Sequence, residues 1–366
     1  MSGSPDGYRV AVAGATGAVG TLMLEVLRRS SLPVREVVPF ATSRSEGREL
    51  ELADTPVRVM SDETIEGFDL ALFSAGGSTS REWAPRFVQA GAVVVDNSSA
   101  WRMHEDVPLV VSEVNPGALD GHSGIVANPN CTTMVAMLPL KALHDAFGLT
   151  SLVATSYQAA GGAGQKGIDE LAAQVEPVGR DLDLLINDGN RARMSVEHSV
   201  HADTLAYNVV PMLGTLGDEG YTDEELKLQN ESRKILDIPD LAVSPTCVRV
   251  PVMVGHAVAC RAGFERPVDV EAAIEALEAF PNLVVAEAPT PLEYAGRDEV
   301  AVGRVRRDLA DPNALNLFVV GDNLLKGAAL NTVQIAERLH ERGLVRPRVE
   351  AATQSNGARP RECGFA

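Results

Sequence analysis

The chain has 366 residues, a formal net charge of −18 and 45% hydrophobic residues. This length suffices for two domains of ordinary size, and the composition is typical of α/β enzymes. The acidic charge argues against a nucleic-acid partner, because it repels phosphate backbones. It does not exclude a small anionic substrate, which a few convergent Arg and Lys residues could bind.

The N-terminus and the cysteines point to a cytoplasmic protein. Residues 1–7 lack the basic start of a signal peptide, and no run of about 18 apolar residues predicts a membrane span. Four cysteines, Cys131, Cys247, Cys260 and Cys363, show no CxxC spacing, which argues against a zinc site or a disulfide scaffold. We therefore expect reduced thiols, no metal site and no membrane partner.

The first part of the chain predicts alternating strands and helices. Residues 8–13 form a short apolar run, 18–29 have helical periodicity, and 34–40 look like a second strand. Later strands are predicted at 69–73 and 92–95. Short apolar strands separated by helices predict an α/β fold with a Rossmann-type, doubly wound parallel sheet.

After Cys131 the pattern predicts a second, α+β domain. The expected elements are helices at 132–147, 168–175, 222–236 and 328–342, with strands at 151–158 and 247–260. Pro251 should place part of the last strand at an edge or a bulge. We predict a first domain over 1–132, a second over 133–327, a helix within 328–346 that returns to the first domain, and a mobile polar tail over 347–366.

A glycine-rich turn lies between the first predicted strand and helix. Glycines there permit a tight turn, and the helix N-terminus offers N–H groups to a pyrophosphate. The spacing is GxxGxxG rather than GxGxxG, and a purely structural turn is the alternative. The candidate cofactor-binding residues are Gly14, Thr16, Gly17, Ala18, Val19 and Gly20.

The end of the second predicted strand indicates which dinucleotide binds. An NAD site would carry Asp or Glu about 20 residues after the glycines. The chain instead has Thr42, Ser43, Arg44 and Ser45. A guanidinium and three hydroxyls suit a 2′-phosphate, whereas an ordinary polar loop with one exposed Arg is the alternative. We predict NADP as the cofactor.

Cys131 is the candidate nucleophile. It follows Pro129 and Asn130, which are typical of a helix start, so the helix dipole should favour a thiolate. Most free cysteines are inert core residues, and that is the expectation for Cys247 and Cys260.

A polar pair is embedded in the apolar segment 247–260. His256 and Arg249 are too polar for a buried strand without a role, but a separation of seven places them on opposite faces of a regular strand. Pro251 and Gly255 could break that register, which periodicity alone leaves open. Another pair, His198 and His201, has no third ligand for a metal.

Several separated segments resemble the aspartate-semialdehyde dehydrogenases, in the family's order and over nearly the whole chain. They are residues 14–20, 98–102 (SSAWR), 128–133 (NPNCTT), 161–164 (GGAG), 224–227 (EELK), 247–252 (CVRVPV) with 255–256, and 322–329 (DNLLKGAA). Such agreement is more specific than any single motif.

The resemblance implies the NADPH-dependent reduction of 4-phospho-L-aspartate to L-aspartate 4-semialdehyde and phosphate, on the route to lysine, threonine and methionine. Cys131 would expel phosphate and form a thioester that accepts hydride. His256 would be the general acid/base, and Gln158 would position the substrate. The second domain would be catalytic and would form a homodimer.

The family's binding residues map onto charged positions. Arg249 would hold the α-carboxylate and Glu224 the ammonium, while Arg102 and Lys227 would bind phosphate. Asn130 is expected to contact the substrate beside the nucleophile. Without the resemblance, Glu224 and Lys227 would be taken for a surface ion pair on one helix face. Further cofactor contacts are expected at Ser74, Ala75, Gly76, Gly161, Gly162 and Asn323.

Two alternatives remain open at this point. An N-acetyl-glutamyl-phosphate reductase uses the same thioester chemistry, but its acetylated substrate has no ammonium for Glu224 to bind. A catalytically inactive NADP-binding paralogue is the second alternative, against which the joint presence of Cys131, His256, Arg249 and Gln158 argues.

Overall fold

A computed structural model describes residues 6–347 and contains two sheets. The elements around the first sheet are, in chain order, β1 (Tyr8–Ala13), α1 (Ala18–Arg29), β2 (Val34–Phe40), β3 (Leu70–Phe73), α2 (Gly77–Gln89), β4 (Val93–Asp96) and β5 (Ile125–Ala127). All pairings are parallel, in the order β2-β1-β3-β4-β5. The predicted doubly wound sheet is confirmed, and the predicted bounds of β1, α1 and β2 agree with those observed.

The second sheet has six strands in the described chain. The elements here are α3 (Cys131–Phe147), β6 (Leu149–Gln158), α4 (Gln165–Gly179), α5 (Leu182–Asn187), α6 (Gly189–Arg193), α7 (Asp223–Leu236), β7 (Ala242–Arg249), β8 (His256–Phe264), α8 (Val270–Glu278), β9 (Leu283–Val285), α9 (Pro291–Tyr294), β10 (Val300–Arg307), β11 (Ala314–Gly321) and α10 (Leu330–Glu341). The sheet is mixed, in the order β7-β6-β8-β11-β10-β9, and it confirms the α+β expectation.

Helix α3 connects the two sheets and is almost entirely buried. It follows β5 directly, packs on β8 and α7, and ends at Gly148, which adopts a left-handed conformation with φ of 72°. An apolar helix with so little exposed surface must be covered on all sides, which explains its weak amphipathic pattern. Its first residue, Cys131, is therefore fixed at the junction between the sheets.

The single strand predicted at 247–260 is wrong. Two strands, β7 and β8, flank β6 on opposite sides and are joined by residues 250–255. The turn is held because Ala160 N–H donates to Val252 O at 2.8 Å, and Gly255 adopts φ of 99°. Pro251 lies in this connection. Its lack of an N–H group and the positive φ of the glycine end the first strand before the second begins.

The C-terminal helix lies against the first sheet. A π-helical turn, Leu325–Ala329, runs directly into α10, and both pack on α1. The predicted helix thus begins three residues earlier than expected and in π form. The predicted tail over 347–366, with Cys363, lies outside the described residues except for its first position. No helix within residues 6–347 combines the length and apolarity needed to cross a bilayer.

A buried ion pair joins the π-helical turn to the segment between β4 and β5. Lys326 Nζ lies 2.6 Å from Glu113 Oε2, with both side chains almost fully buried. The ammonium also donates to Gln334 Oε1 at 2.7 Å, and Glu113 accepts from Asn282 Nδ2 at 2.6 Å. Removing one partner of such a pair leaves a buried charge without compensation.

We expect Lys326→Met to lower the free energy of unfolding by about 3–5 kcal/mol, because Glu113 would remain buried and unpaired. The double variant Lys326→Met/Glu113→Gln should lose less. Urea denaturation followed by circular dichroism measures both. Arg338→Ala, which breaks an exposed pair with Glu341, is the control and should cost at most about 1 kcal/mol. A loss for Lys326→Met no larger than this control would contradict the expectation.

Candidate active site

The glycine turn lies at the topological switch point of the first sheet, between β1 and β3. Gly14 has φ of 83°, and a Cβ there would lie 2.2 Å from Ser74 O, so only glycine fits between the two strand ends. Gly14 N–H donates to Phe40 O at 2.8 Å, which also ties the turn to β2. Ligands of doubly wound sheets bind at this position, outside the carboxyl ends of the strands.

The start of α1 is suited to an anion. Gly17 is its N-cap and supplies no side-chain cap, and the first turn contains no acidic residue. N–H groups at such a helix end, together with the helix dipole, favour a phosphate group. The predicted residues Thr16, Ala18, Val19 and Gly20 belong to this same turn and first helical residues.

The predicted 2′-phosphate residues follow β2. Thr42 precedes a short 3₁₀ turn, Ser43–Ser45, and Arg44 is exposed there. Within residues 6–347 the Arg44 guanidinium has no hydrogen bond or ion pair. Because Ala13 and Phe40 are paired at the ends of β1 and β2, this turn lies beside the glycine turn, where it could reach the same dinucleotide.

Two further segments supply candidate cofactor contacts. Ser74, Ala75 and Gly76 lie between β3 and α2, and Gly76 has φ of 83°. Asn323 accepts from Gly255 N–H at 2.8 Å, while its buried Nδ2 has no hydrogen-bond partner within the described residues. An open amide donor and an uncapped helix start fit a dinucleotide cofactor.

A cleft of about 360 Å³ joins the first sheet to the second. Predicted residues that line it are Val19, Ser74, Arg102, Asn130, Cys131, Gly161, Gly162, Lys227 and Asn323. Of the other predicted catalytic and substrate residues, His256 and Glu224 hydrogen-bond to this lining. Gln158 contacts Glu224, and Arg249 lies against Gly162. Ala75, Gly76 and the Thr42–Ser45 turn lie outside it, at the neighbouring strand ends.

Cys131 is placed by the cap of α3. The Asn130 side-chain oxygen accepts from the N–H groups of Thr132 and Thr133, as the sequence predicted for a cap. Asn130 is itself fixed by α7, because its Nδ2 donates to Glu224 Oε1 at 2.8 Å and its N–H to Glu231 Oε2 at 2.6 Å. The thiol position therefore depends on two carboxylates of another helix.

His256 lies directly beside the thiol. Its Nε2 is 3.2 Å from Cys131 Sγ, and Ala159 N–H donates to its Nδ1 at 3.0 Å. A backbone donor at Nδ1 requires a lone pair there, so in the neutral ring the proton is on Nε2 and points at Sγ. The imidazole is thus a hydrogen-bond donor toward the reacting atoms.

The protonation of this pair differs from the sequence-based expectation. Burial and then the Glu224 charge raise the pKa of the Cys131 thiol to about 11, against the opposing charges of Arg102 and Arg249. Burial and the Arg249 charge hold the pKa of His256 well below its ordinary value. The helix start alone does not produce a thiolate, and the histidine is neutral at physiological pH.

Gln158 and Arg249 are paired opposite each other on β6 and β7. Arg249 Nη1 donates to Ala159 O at 2.6 Å, and burial lowers the pKa of its guanidinium. A Cβ at Gly162 would lie 2.6 Å from Arg249 Nη1 and 3.3 Å from His256 Nε2. Gly162 therefore lets Arg249 and His256 converge, which the strand periodicity left open.

Helix α7 contributes a charged face. Lys227 Nζ lies 3.2 Å from Glu224 Oε2 and 2.7 Å from Asp223 Oδ2, so the two predicted residues do share a face. Glu224 also lies 3.4 Å from Gln158 Nε2. This places the carboxylate expected to bind an ammonium next to the residue expected to position the substrate.

Arg102 reaches the cleft from the loop after β4. Its Nε donates to Asn128 O at 2.9 Å, Nη2 to Asn97 O at 2.7 Å and Nη1 to Glu231 Oε1 at 3.1 Å. Three of its five N–H groups are thus used internally, and two remain for a ligand.

Several residues that line or support the site were not predicted as site residues from the sequence, among them Asn97, Ser99, Gly327 and Glu231. Asn97, Ser99 and Gly327 line the cleft, and Glu231 holds Arg102 and Asn130. Gly327 lies in the family-like segment 322–329, and a Cβ there would meet Cys131 Cβ at 2.9 Å. For Glu231 the available signal was its spacing of seven from Glu224 on a predicted helix, which puts both on one face.

Comparisons with known proteins cover most of the chain. Residues 9–122 match the family model "Semialdehyde dehydrogenase, NAD binding domain", and residues 140–326 match "Semialdehyde dehydrogenase, dimerisation domain". The aspartate-semialdehyde dehydrogenase of Streptomyces akiyoshiensis is 50% identical over 332 residues, covering 90% of this chain and 97% of its own. That of Aquifex aeolicus is 43% identical over 352 residues, covering 93% and 100%.

A solved structure agrees with these matches. Aspartate semialdehyde dehydrogenase II of Vibrio cholerae, complexed with ASA, superposes with a TM-score of 0.85 at 41% identity. The alignment covers 92% of this chain and 98% of that one. Both sheets and the cleft between them thus fall within the shared fold.

We expect Cys131 alkylation by iodoacetamide, in protein without added ligands, to rise with pH toward a midpoint at about 11. Glu224→Gln should move this midpoint down, because it removes the carboxylate charge that disfavours the thiolate. Peptide mass spectrometry identifies the labelled thiol. Glu82→Gln, an exposed change on α2, is the charge control and should leave the midpoint unchanged. A midpoint below 7 in the unaltered protein would refute this picture.

Proposed function

Since the chain belongs to the aspartate-semialdehyde dehydrogenase family of NADP-dependent oxidoreductases, we propose that it reduces 4-phospho-L-aspartate to L-aspartate 4-semialdehyde and phosphate. The observation that carries the proposal is the 3.2 Å contact between Cys131 Sγ and His256 Nε2, at the junction of a dinucleotide-binding sheet and a charged cleft. The reaction serves lysine, threonine and methionine biosynthesis.

Cys131 forms the covalent intermediate in the proposed mechanism. Its sulfur attacks the acyl phosphate carbon, the C–O bond to phosphate breaks, and a thioester remains. The thiol proton leaves with the departing phosphate group, and the positive charges of Arg102 and Arg249 favour ionisation of the sulfur. A substrate ammonium at Glu224 would neutralise the carboxylate that disfavours the thiolate, so substrate binding would itself activate the nucleophile.

NADPH, when bound, supplies the hydride that reduces the thioester carbon. His256 Nε2–H is directed at Sγ, so it can donate a hydrogen bond to the thioester oxygen, which gains negative charge as the hydride is added. Breaking of the C–S bond then releases the aldehyde and returns Cys131. Ala159 N–H keeps the imidazole in the donor tautomer throughout.

Substrate recognition follows from the charges around the cleft. Arg249 can bind the α-carboxylate with two parallel hydrogen bonds, and Glu224 can accept from the ammonium. Gln158 and Asn130, which both contact Glu224, would hold the substrate beside the sulfur. Arg102 and Lys227 would bind the phosphate group, Arg102 with its two remaining N–H groups.

The assembly and location follow from the same family membership. We propose a homodimer through the second sheet, because the dimerisation model covers it and Val153 and Tyr157 expose apolar surface on β6. A cytoplasmic location suits an enzyme that needs a reduced Cys131. We propose a domain boundary between residues 132 and 133, because the strands of the first sheet precede it and those of the second sheet follow it.

A phosphate-dependent oxidation assay tests the reaction in reverse. The protein, L-aspartate 4-semialdehyde and NADP⁺ should form NADPH only when phosphate is present, as followed by absorbance. Cys131→Ser should lower the rate by at least about a thousandfold, because the nucleophile is lost. NADP binding without turnover would support an inactive paralogue. Activity with N-acetyl-glutamate semialdehyde instead would keep the thioester chemistry and overturn the substrate.

The choice of NADP is tested at Arg44. Arg44→Ala should raise the KM for NADP⁺ about tenfold or more and leave the KM for NAD⁺ nearly unchanged, because only NADP⁺ carries the 2′-phosphate. Steady-state kinetics with both cofactors measure this. Arg180→Ala removes an exposed charge on the distant segment after α4 and should change neither constant. Equal effects of Arg44→Ala on both cofactors would contradict the assignment.

A further inference from the structure

Glu231 is a buried carboxylate between two parts of the candidate site. It lies on α7 with 1% of its surface exposed. Oε1 accepts from Arg102 Nη1 at 3.1 Å, and Oε2 accepts from Asn130 N–H at 2.6 Å. Because both oxygens accept, the geometry fits the ionised carboxylate rather than the acid.

The two groups that it binds have different roles. Arg102 is the cation proposed to bind the phosphate group, and Asn130 is the cap residue directly before Cys131. Glu231 is the side chain that contacts both groups within the described chain, and it adds to the bonds that Arg102 donates to the carbonyls of Asn97 and Asn128. A shift of Glu231 would therefore move the phosphate-binding cation relative to the nucleophile.

We propose that Glu231 is a positioning residue that holds the guanidinium of Arg102 at a fixed distance from Cys131, so that a phosphate group is bound next to the attacking sulfur. This inference rests on the proposed function, in which Arg102 binds phosphate. A carboxylate with one oxygen on the guanidinium and the other on Asn130 N–H suits the task, because it joins the long Arg102 side chain to the backbone beside Cys131.

The position on α7 supports the proposal. Glu224, Lys227 and Glu231 are spaced by three and four residues, so they form one stripe of the helix. The first two lie at the cleft, and Glu231 lies beneath them. One rigid helix thus orients the groups proposed for ammonium, phosphate and nucleophile together, which a loop could not do as accurately.

The test compares steady-state constants in the phosphate-dependent oxidation assay. Glu231→Gln removes the charge and one acceptor, since its NH₂ group would face an N–H donor. It should raise the KM for phosphate about tenfold or more, with a smaller change in the KM for L-aspartate 4-semialdehyde. Ser232→Ala is the matched control, because Ser232 is buried on the same turn and its hydroxyl donates only to Leu228 O. It should leave the phosphate KM unchanged.

A double-mutant cycle separates positioning from general destabilisation. If Glu231 acts through Arg102, Glu231→Gln should add no further rise in the phosphate KM in an Arg102→Ala background. Additive effects, or an unchanged phosphate KM in the single variant, would overturn the proposal. Should Glu231→Gln fail to fold, Glu231→Asp keeps the charge but is too short for both bonds, and the same rise in phosphate KM is expected.

Failure of the proposed function can be recognised separately. If the unaltered protein shows no phosphate-dependent turnover, protection of Cys131 from iodoacetamide by inorganic phosphate still reports anion binding at Arg102. Weaker protection in Glu231→Gln than in Ser232→Ala would support the positioning role, and equal protection would reject it.

Discussion

The contact between Cys131 Sγ and His256 Nε2 depends on both halves of the molecule. Cys131 begins α3, which continues directly from the last strand of the first sheet, whereas His256 begins β8 of the second sheet. A sulfur and a ring nitrogen 3.2 Å apart tolerate little displacement. The buried helix α3, the turn at 250–255 and the cap at Asn130 can each be understood as fixing one side of this contact.

The same constraint explains the charges around it. Burial disfavours every charged form, so the thiol and the imidazole are both neutral among the protein's own groups. The charges of the Arg102 and Arg249 guanidinium groups and of the Glu224 carboxylate then adjust the pKa of the thiol, which a charged ligand can shift further. If a substrate ammonium neutralises Glu224 and so lowers the pKa of the proposed nucleophile, the unliganded site would limit thiol reactivity toward other electrophiles.

Much of the fold was predictable because local patterns determine it. The bounds of β1, α1 and β2 follow from a short apolar run, an amphipathic run and a glycine turn, all of which act within a few residues. The boundary between β7 and β8 was missed because residues 250–255 are as apolar as the strands they join. Only the hydrogen bonds from the neighbouring segment, such as Ala160 N–H to Val252 O, mark that connection as a turn.

The site residues also differ in whether local sequence patterns are sufficient to predict them. Cys131 and its cap are adjacent in sequence, so the start of α3 at this position is predictable from helix capping. The convergence of Arg249 and His256 requires β6 between them and a glycine at position 162, neither of which periodicity reveals.

Glu231 was overlooked because a glutamate on a helix is ordinarily a surface residue. A buried carboxylate needs a partner of opposite charge. For Glu231 that partner is Arg102, which lies more than a hundred residues earlier in the chain and is brought against it by the fold. Buried charge pairs formed over long sequence separations are therefore where a structure adds most to what a sequence can say about such a site.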